Sequence, residues 1–259
     1  MEKMQVYDAI VSSFRSVKLP EMDRVKLMNR VDTKFIFHNS LLPDIFNEVR
    51  DQYSILEIDD KRIFCYDSLY FDTDDYCMYK QHHNGKPRRV KVRYRTYCHS
   101  GDVFFEIKQR KNPLRTHKYR IQVDHIPLSP GDEEQKLLHE HGIIFDQELT
   151  PKLLVGYKRV TLVAKDGIER VTIDIQLEFD NFLNRRSHEY LSIAEIKQER
   201  FSRVSPFVYA LRKRNIKEHS ISKYALGLIE LQTDIKMNAF KSKVTYVEQI
   251  EKRWSDGSK

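Results

Sequence analysis

In the stretch RRVKVRYR, Arg89, Lys91, Arg93 and Arg95 fall on every second position, with Val90, Val92 and Tyr94 between them. On a β-strand, alternate residues share a face and stand ~6.6 Å apart. One such strand can therefore contact successive phosphates. Arginine would do so through forked hydrogen bonds and lysine as a compact point charge. Other stretches repeat the pattern. Glu106, Lys108 and Arg110 oppose Phe105 and Ile107. Arg170, Thr172, Asp174, Gln176 and Glu178 oppose Val171, Ile173, Ile175, Leu177 and Phe179. Glu195 and Lys197 oppose Ala194 and Ile196, and Arg30, Asp32 and Lys34 share a face. This chemistry suits phosphoryl transfer, which needs alignment and cations where negative charge spreads, with little covalent help. A carboxylate such as Glu195 among the cations suggests a divalent metal riding on the bound anion.

The elements that must position these residues are mostly strands. The sequence predicts strands at 30–37, 63–73, 88–97, 103–111, 117–124, 152–164, 170–179 and 190–199, with turns at His99-Ser100-Gly101-Asp102 and Lys165-Asp166-Gly167. Apolar stripes predict helices at 3–16, 40–52 (capped by Ser40), 132–142, 205–215, 222–231 and 234–252. His82 and His83, beside Asn84-Gly85, read as exposed loop residues. The basic end KSKVTYVEQIEKRW reads as a solvated amphipathic helix, with a peripheral membrane or partner role as its alternative.

Composition sets the outer limits. The 259 residues carry a net charge of +7, which fits an anionic partner without choosing among nucleic acid, phospholipid and phosphorylated small molecule. The Phe and Tyr residues mostly alternate away from the cations, which disfavours the mixed aromatic and basic face of a nucleic-acid binder. Cys65, Cys77 and Cys98 lie in no zinc spacing and read as free thiols. No signal peptide and no run of ~20 apolar residues is present, so a cytoplasmic protein is expected.

Alternation alone favours a one-sided sheet whose polar face meets solvent. Yet the apolar helices at both ends need a surface, and the strands' apolar faces supply it. About eight antiparallel strands that close to remove their edges would turn the charged side into a lumen. The expected fold is α+β, an eight-stranded antiparallel β-barrel with flanking helices, as a single domain over 1–259 with a helical tail from 232.

In order, RVDTKFIF, SLYFDT, KVRYRTY, FFEIKQRK, GYKRVTLVA, RVTID, AEIKQE and SISKYALG, spanning residues 28–228, resemble the polyphosphate polymerase domain of the vacuolar transporter chaperone (VTC) family, within the triphosphate tunnel metalloenzymes. The resemblance implies an eight-stranded tunnel that binds ATP and polyphosphate or triphosphate with Mn²⁺ or Mg²⁺. It implies catalytic roles for Lys34, Arg93, Arg95, Lys108, Arg159 and Arg170. It implies substrate contacts from Arg30, Lys91, Lys118, Tyr157, Lys197, Ser222 and Lys223, and metal binding by Glu195. Asp174 has a second reading as a structural partner for an arginine, Tyr157 as a packing residue and Ser222 as a helix cap. Hydrolytic tunnel enzymes open with Glu-x-Glu-x-Lys, whereas this chain has Arg30-x-Asp32-x-Lys34. Exchanging a metal-binding acid for arginine favours a polymerase over a tripolyphosphatase or nucleoside triphosphatase. A non-catalytic polyphosphate-binding module is the third reading.

Overall fold

The computed structural model describes residues 2–22, 31–112, 116–200 and 202–255. Arg30 lies outside the described residues. The strands are β1 (Arg15–Val17), β2 (Val31–His38), β3 (Tyr53–Leu56), β4 (Ile63–Asp72), β5 (Arg89–Tyr97), β6 (Val103–Arg110), β7 (Thr116–Val123), β8 (Thr150–Ala164), β9 (Glu169–Asp180), β10 (Arg185–His188) and β11 (Leu191–Gln198). The helices are α1 (Glu2–Ser12), α2 (Leu19–Met22), α3 (Leu42–Val49), α4 (Cys77–His83), α5 (Asp132–Glu140), α6 (Pro206–Lys213), α7 (Lys223–Leu231) and α8 (Lys241–Ser255).

Eight strands follow one antiparallel path, β2-β11-β9-β8-β4-β5-β6-β7. The expected eight-stranded antiparallel architecture with flanking helices is present. Among the described residues no ladder joins β2 to β7, and the free edge of β2 is bridged at Phe35 by Glu218. The sheet nevertheless curls into a tunnel. Lys34 on β2 lies close enough to Lys108 on β6 to repel it, although five strands separate them along the path. Three short strands escaped the sequence reading: β1 pairs with β3 in parallel, β3 with β8, and β10 with β9. Runs of three or four residues are too short to show a period.

The outward face carries two apolar layers. Phe35, Phe37, Val160, Leu162, Val171, Ile173 and Ala194 pack under α1, α3 and α6. Val92, Tyr94, Phe105 and Ile107 pack with Leu138 of α5 and Met78 of α4. The inward face is polar only in its middle. Toward one end Ile36, Leu153, Val155, Leu177, Phe179 and Ile193 are covered by α7 and α8; toward the other, Phe64 and Val163 meet Leu56 and Met22. The expectation that the terminal helices pack only on the outward apolar faces is thus corrected. α7 and α8 lie on the charged face, because the strands become apolar there toward one end.

A bulge produces that change on β9. Gln176 has φ +52° and the β8–β9 register shifts between Gly156 and Lys158. An extra residue inverts the alternation. Arg170, Thr172 and Asp174 face inward as expected, whereas beyond the bulge Leu177 and Phe179 take the inward face and Glu178 is exposed. Two local expectations also change. Ser40 lies in a 3-10 turn, Asn39–Leu41, and the side chain of His38 accepts from its N–H, so Ser40 caps nothing. His82 and His83 belong to α4, and His83 is buried between helix and Phe240.

Candidate functional site

The polar belt begins with β5, whose cations alternate inward because Val92 and Tyr94 are committed to the outward core. Arg93 donates to Glu106 Oε2 through Nη2 at 2.6 Å and Nε at 2.9 Å, and through Nη1 to the Tyr70 hydroxyl at 2.9 Å. Arg95 donates to Ser68 Oγ at 3.2 Å and to the Tyr157 hydroxyl at 2.8 Å, with Glu106 3.9 Å from its Nη1. Lys118 on β7 also pairs with Glu106. Burial opposes the charge on Glu106, but Arg93, Arg95 and Lys118 outweigh it and hold the carboxyl down to about 2. Burial brings Lys118 down to about 8 against the pull of Glu106.

A second centre lies on β8 and β9, beside Tyr157. Arg159 grips Asp174 with a fork, Nε–Oδ1 2.6 Å and Nη2–Oδ2 2.8 Å, and Lys223 also bonds Oδ2. Burial works against the Asp174 carboxylate, yet Arg159 and Lys223 set it well below the usual range. Asp174 is therefore an arginine partner, as its structural reading proposed. The ring of Tyr157 stacks on Tyr66 at 5.5 Å, and Lys223 Nζ stands 4.4 Å from its centroid. Tyr157 is both a packing residue and the acceptor for Arg95.

The third centre is Glu195, bonded by Lys34 on one side and Lys197 on the other. Burial lowers Lys34 to about 7, with repulsion from Lys223 and Lys108, and lowers Lys197 to about 6. In register, Lys34 faces Glu195, Asp32 faces Lys197 and Lys197 faces Arg170. Lys108 is on the same inward face, opposite Lys91 and Lys118, and is exposed. Each predicted site residue within the described segments therefore lies on the inward face or on α7 above it.

α7 reaches the belt because Asp72 anchors its start. The buried Asp72 carboxylate accepts from the Met78 and Tyr79 amides at 2.9 and 3.0 Å and from the Tyr224 hydroxyl at 2.6 Å. Ser222 caps α7 by accepting from Ala225 N at 3.3 Å and also accepts from Lys91 Nζ at 2.7 Å. Burial, then Lys108, pushes Lys91 well below its ordinary value. Buried Tyr224, Ala225 and Leu228 hold the helix down. Each large apolar side chain so buried contributes ~1.5–3 kcal/mol, which opposes the repulsion between Lys223 and Lys34. Sequence reasoning missed Glu106, Tyr70, Ser68, Tyr66 and Asp72 as parts of the site. Glu106 alone had a signal, a carboxylate at an inward position between cationic strands.

The donor set fits a hard divalent ion in one way. Glu195 supplies carboxylate oxygen, with Asp32 one register step away, and such ions accept one or two carboxylates with water and phosphate oxygens. An ion there must displace ammonium contacts of Lys34 or Lys197, and burial already disfavours both charges. Among the described residues the grouped candidate ligands are instead Cys65, Asp67 and Cys98, outside the belt; the free thiol of Cys98 donates to Cys65 Sγ at 2.7 Å.

The sequence matches the VTC domain profile over residues 29–231. The chain belongs to the VTC-domain family. Comparison with curated proteins gives no match. The VTC domain is similar to solved structures of low identity. One is a Hippeastrum protein named for adenylyl cyclase and described with a dominant triphosphatase activity, at 14% identity and TM-score 0.46, covering 79% of this chain and 98% of that one. Another is a Pyrococcus horikoshii protein at 13% identity and TM-score 0.39, covering 78% and 100%. A third, named for adenylate cyclase, is from Vibrio parahaemolyticus at 11% identity and TM-score 0.37, covering 82% and 98%. No described helix of the VTC domain is long and apolar enough to cross a membrane.

Proposed function

We propose that the protein is a metal-dependent polyphosphate polymerase that moves the terminal phosphate of ATP onto a growing polyphosphate chain within the tunnel. The observation that supports this reading is the commitment of three inward carboxylates, Glu106, Asp174 and Glu195, to neighbouring cations. Glu106 is held by Arg93, Arg95 and Lys118, Asp174 by Arg159 and Lys223, and Glu195 by Lys34 and Lys197. A carboxylate fixed by two or three cations is a poor base for a water molecule. The terminal phosphate of a polyphosphate chain is already an anionic nucleophile and needs no base.

In this reading an oxygen of the chain end attacks the terminal phosphorus of ATP, and the bond to the bridging oxygen breaks. ADP leaves with that oxygen, and the chain is longer by one unit. Arg93, Arg95 and Arg159 supply directional donors for charge spreading over the transferred group. Lys34, Lys118 and Lys197 are point charges whose protonated forms gain when phosphates arrive. Lys91, Ser222 and Lys223 hold phosphates at the start of α7, where backbone N–H groups also favour anions. Lys108 and Arg170 extend the cationic lining, and Arg30 precedes Lys34 in the sequence. A Mn²⁺ or Mg²⁺ ion held by Glu195 would neutralise charge on the phosphates. Incubation with ATP and Mn²⁺ or Mg²⁺, with products resolved, tests the reading. Polymer and ADP support it; orthophosphate and ADP without polymer make the protein a hydrolase, and tight binding without turnover makes it a binding module.

A further inference from the structure

On their outer side, β4 and β5 carry a pair of thiols that the transfer site does not use. Tyr66 and Ser68 of β4 and Arg95 and Tyr97 of β5 meet on the inward face, so alternation puts Cys65, Asp67 and Cys98 on the other. Tyr66 faces Tyr97 in the register, and Cys98 N donates to Cys65 O at 3.3 Å, which extends the ladder by one pair. Opposed residues of an antiparallel pair have Cα atoms about 4.5–5.5 Å apart, inside the span of about 4.4–6.8 Å that a disulfide bridges. The Cys98 thiol donates to Cys65 Sγ at 2.7 Å, and Asp67 Oδ2 lies 3.8 Å from the Cys98 sulfur. Cys98 is exposed and Cys65 half-buried, so a small oxidant reaches the pair. Two thiolates held roughly 2.3 Å from a tetrahedral Zn²⁺ stand about 3.8 Å apart, farther than these sulfurs. Lys158 of β8 also stands opposite Cys65 in register. Both features favour a bond between the sulfurs over a shared cation.

We propose that Cys65 and Cys98 form a reversible disulfide that clamps β4 to β5 behind the Tyr66 wall of the tunnel. The clamp is independent of which reaction the tunnel performs. Its oxidant is a low-molecular-weight disulfide. The Cys98 thiolate attacks one sulfur of that molecule, the S–S bond breaks, and one thiolate leaves and takes up a proton. Cys65, its own proton lost to solvent, then attacks the Cys98 sulfur, and the second small thiol leaves. Two protein thiols are oxidised to one disulfide, and the small disulfide is reduced to two thiols. Burial, then Cys65 and Asp67, push Cys98 up to about 12, so little thiolate is present at neutral pH and closure is slow. The bond fixes the strands on both sides of Tyr66, whose ring stacks on Tyr157 at 5.5 Å, with the Arg95 and Arg159 guanidiniums 5.5 and 5.4 Å away. It also joins positions 33 residues apart, which removes entropy from the unfolded chain.

The test incubates wild type, Cys98→Ser and Cys77→Ser for hours in mixtures of reduced and oxidised glutathione. Remaining thiols are then blocked, the chains are mapped by mass spectrometry, and thermal melts are taken on the same samples. Wild type and Cys77→Ser should gain a Cys65–Cys98 cross-link, lose it in dithiothreitol, and melt at least ~4 °C higher when oxidised. Cys98→Ser should show neither the cross-link nor the shift. Glutathione adducts without a cross-link in folded wild type overturn the proposal, as does a cross-link that includes Cys77. A Cys65–Cys98 bond that leaves the melting temperature unchanged or lower also overturns it, because the strands are then not clamped in their native pairing. Zn²⁺ that binds wild type in calorimetry, blocks the oxidation and fails to bind Cys98→Ser makes the two thiols and Asp67 a metal site instead.

Discussion

Glu195 is bonded by Lys34 and Lys197, so its charge serves two ends that a substitution can separate. Glu195→Gln keeps shape and hydrogen-bonding capacity but cannot hold a divalent ion electrostatically. Metal-dependent turnover of ATP should vanish, while metal-free tripolyphosphate binding stays equal or tightens because two lysines lose their competitor. Full turnover in the variant would reduce Glu195 to an ion-pair partner. Arg93 calls for a different expectation. Sequence alternation alone makes it an inward residue whose removal leaves the fold intact, yet it forks onto Glu106, which is only 2% exposed. Removing one partner from a buried pair is costly because the other charge stays buried. With Arg95 and Lys118 still present, Arg93→Ala should cost about 2–3 kcal/mol and lower turnover at least ~100-fold, whereas Arg93→Lys should restore most stability but little turnover. Urea midpoints beside product assays separate the two effects; a fully stable Arg93→Ala would show that the Glu106 network is not structural.

At the scale of elements, α7 carries Ser222 and Lys223 to the belt, and its closeness to the sheet depends on Gly227. A Cβ there would stand 2.7 Å from Leu153 Cδ2 and 2.8 Å from Phe179 Cδ1. Gly227→Ala should therefore destabilise by about 1–3 kcal/mol as overpacking and should weaken tripolyphosphate binding by moving the start of α7. Unchanged binding in a destabilised variant would mean that Ser222 and Lys223 do not contact phosphate. The outer ends of α7 and α8 are joined through His188 of β10, whose Nε2 and Nδ1 each lie 2.6 Å from Glu230 and Glu251. Burial works against the imidazolium, but the two carboxylates outweigh it and raise His188 to about 9. Because the folded value is raised, the stabilisation is complete below the unfolded value near 6.5 and is lost as pH rises through about 9. Its size is on the order of 3 kcal/mol. Denaturant midpoints from pH 6 to 9.5 should show wild type losing its advantage over His188→Gln across that window. A constant difference between the two proteins would exclude a titrating histidine.

At the scale of the whole molecule, the tunnel gathers cations from β2, β5, β6, β7, β8, β9, β11 and α7, so an anion should stabilise the folded chain. Thermal melts with tripolyphosphate should rise at low salt, and the rise should shrink as NaCl screens the cations. No rise at low salt would remove the main support for an anion-binding lumen. Much of this was legible in the chain itself. A strict period of two assigned Arg93, Arg95, Lys34, Glu195 and Lys197 to one face, because alternation is a local property of strand backbone. The ordered motifs likewise placed the chain in its family before any coordinates. Other features depend on distant residues meeting. The bulge at Gln176 inverts a face that sequence alternation continues unbroken, since one added residue leaves no mark on composition. Glu106 reads as one more acid in a strand; only the curling of the sheet makes it the shared partner of Arg93, Arg95 and Lys118, from three different positions on two other strands. The cap of Asp72 on α4 and Tyr224 is equally invisible in sequence, because it joins residues 152 apart. The sequence by itself determined which side chains carry charge and, short of the bulge on β9, on which side of each strand. Which cations share a carboxylate, and where α7 closes the tunnel, was decided by the tertiary structure, because electrostatic pairing and packing act through space across strands that the chain order keeps apart.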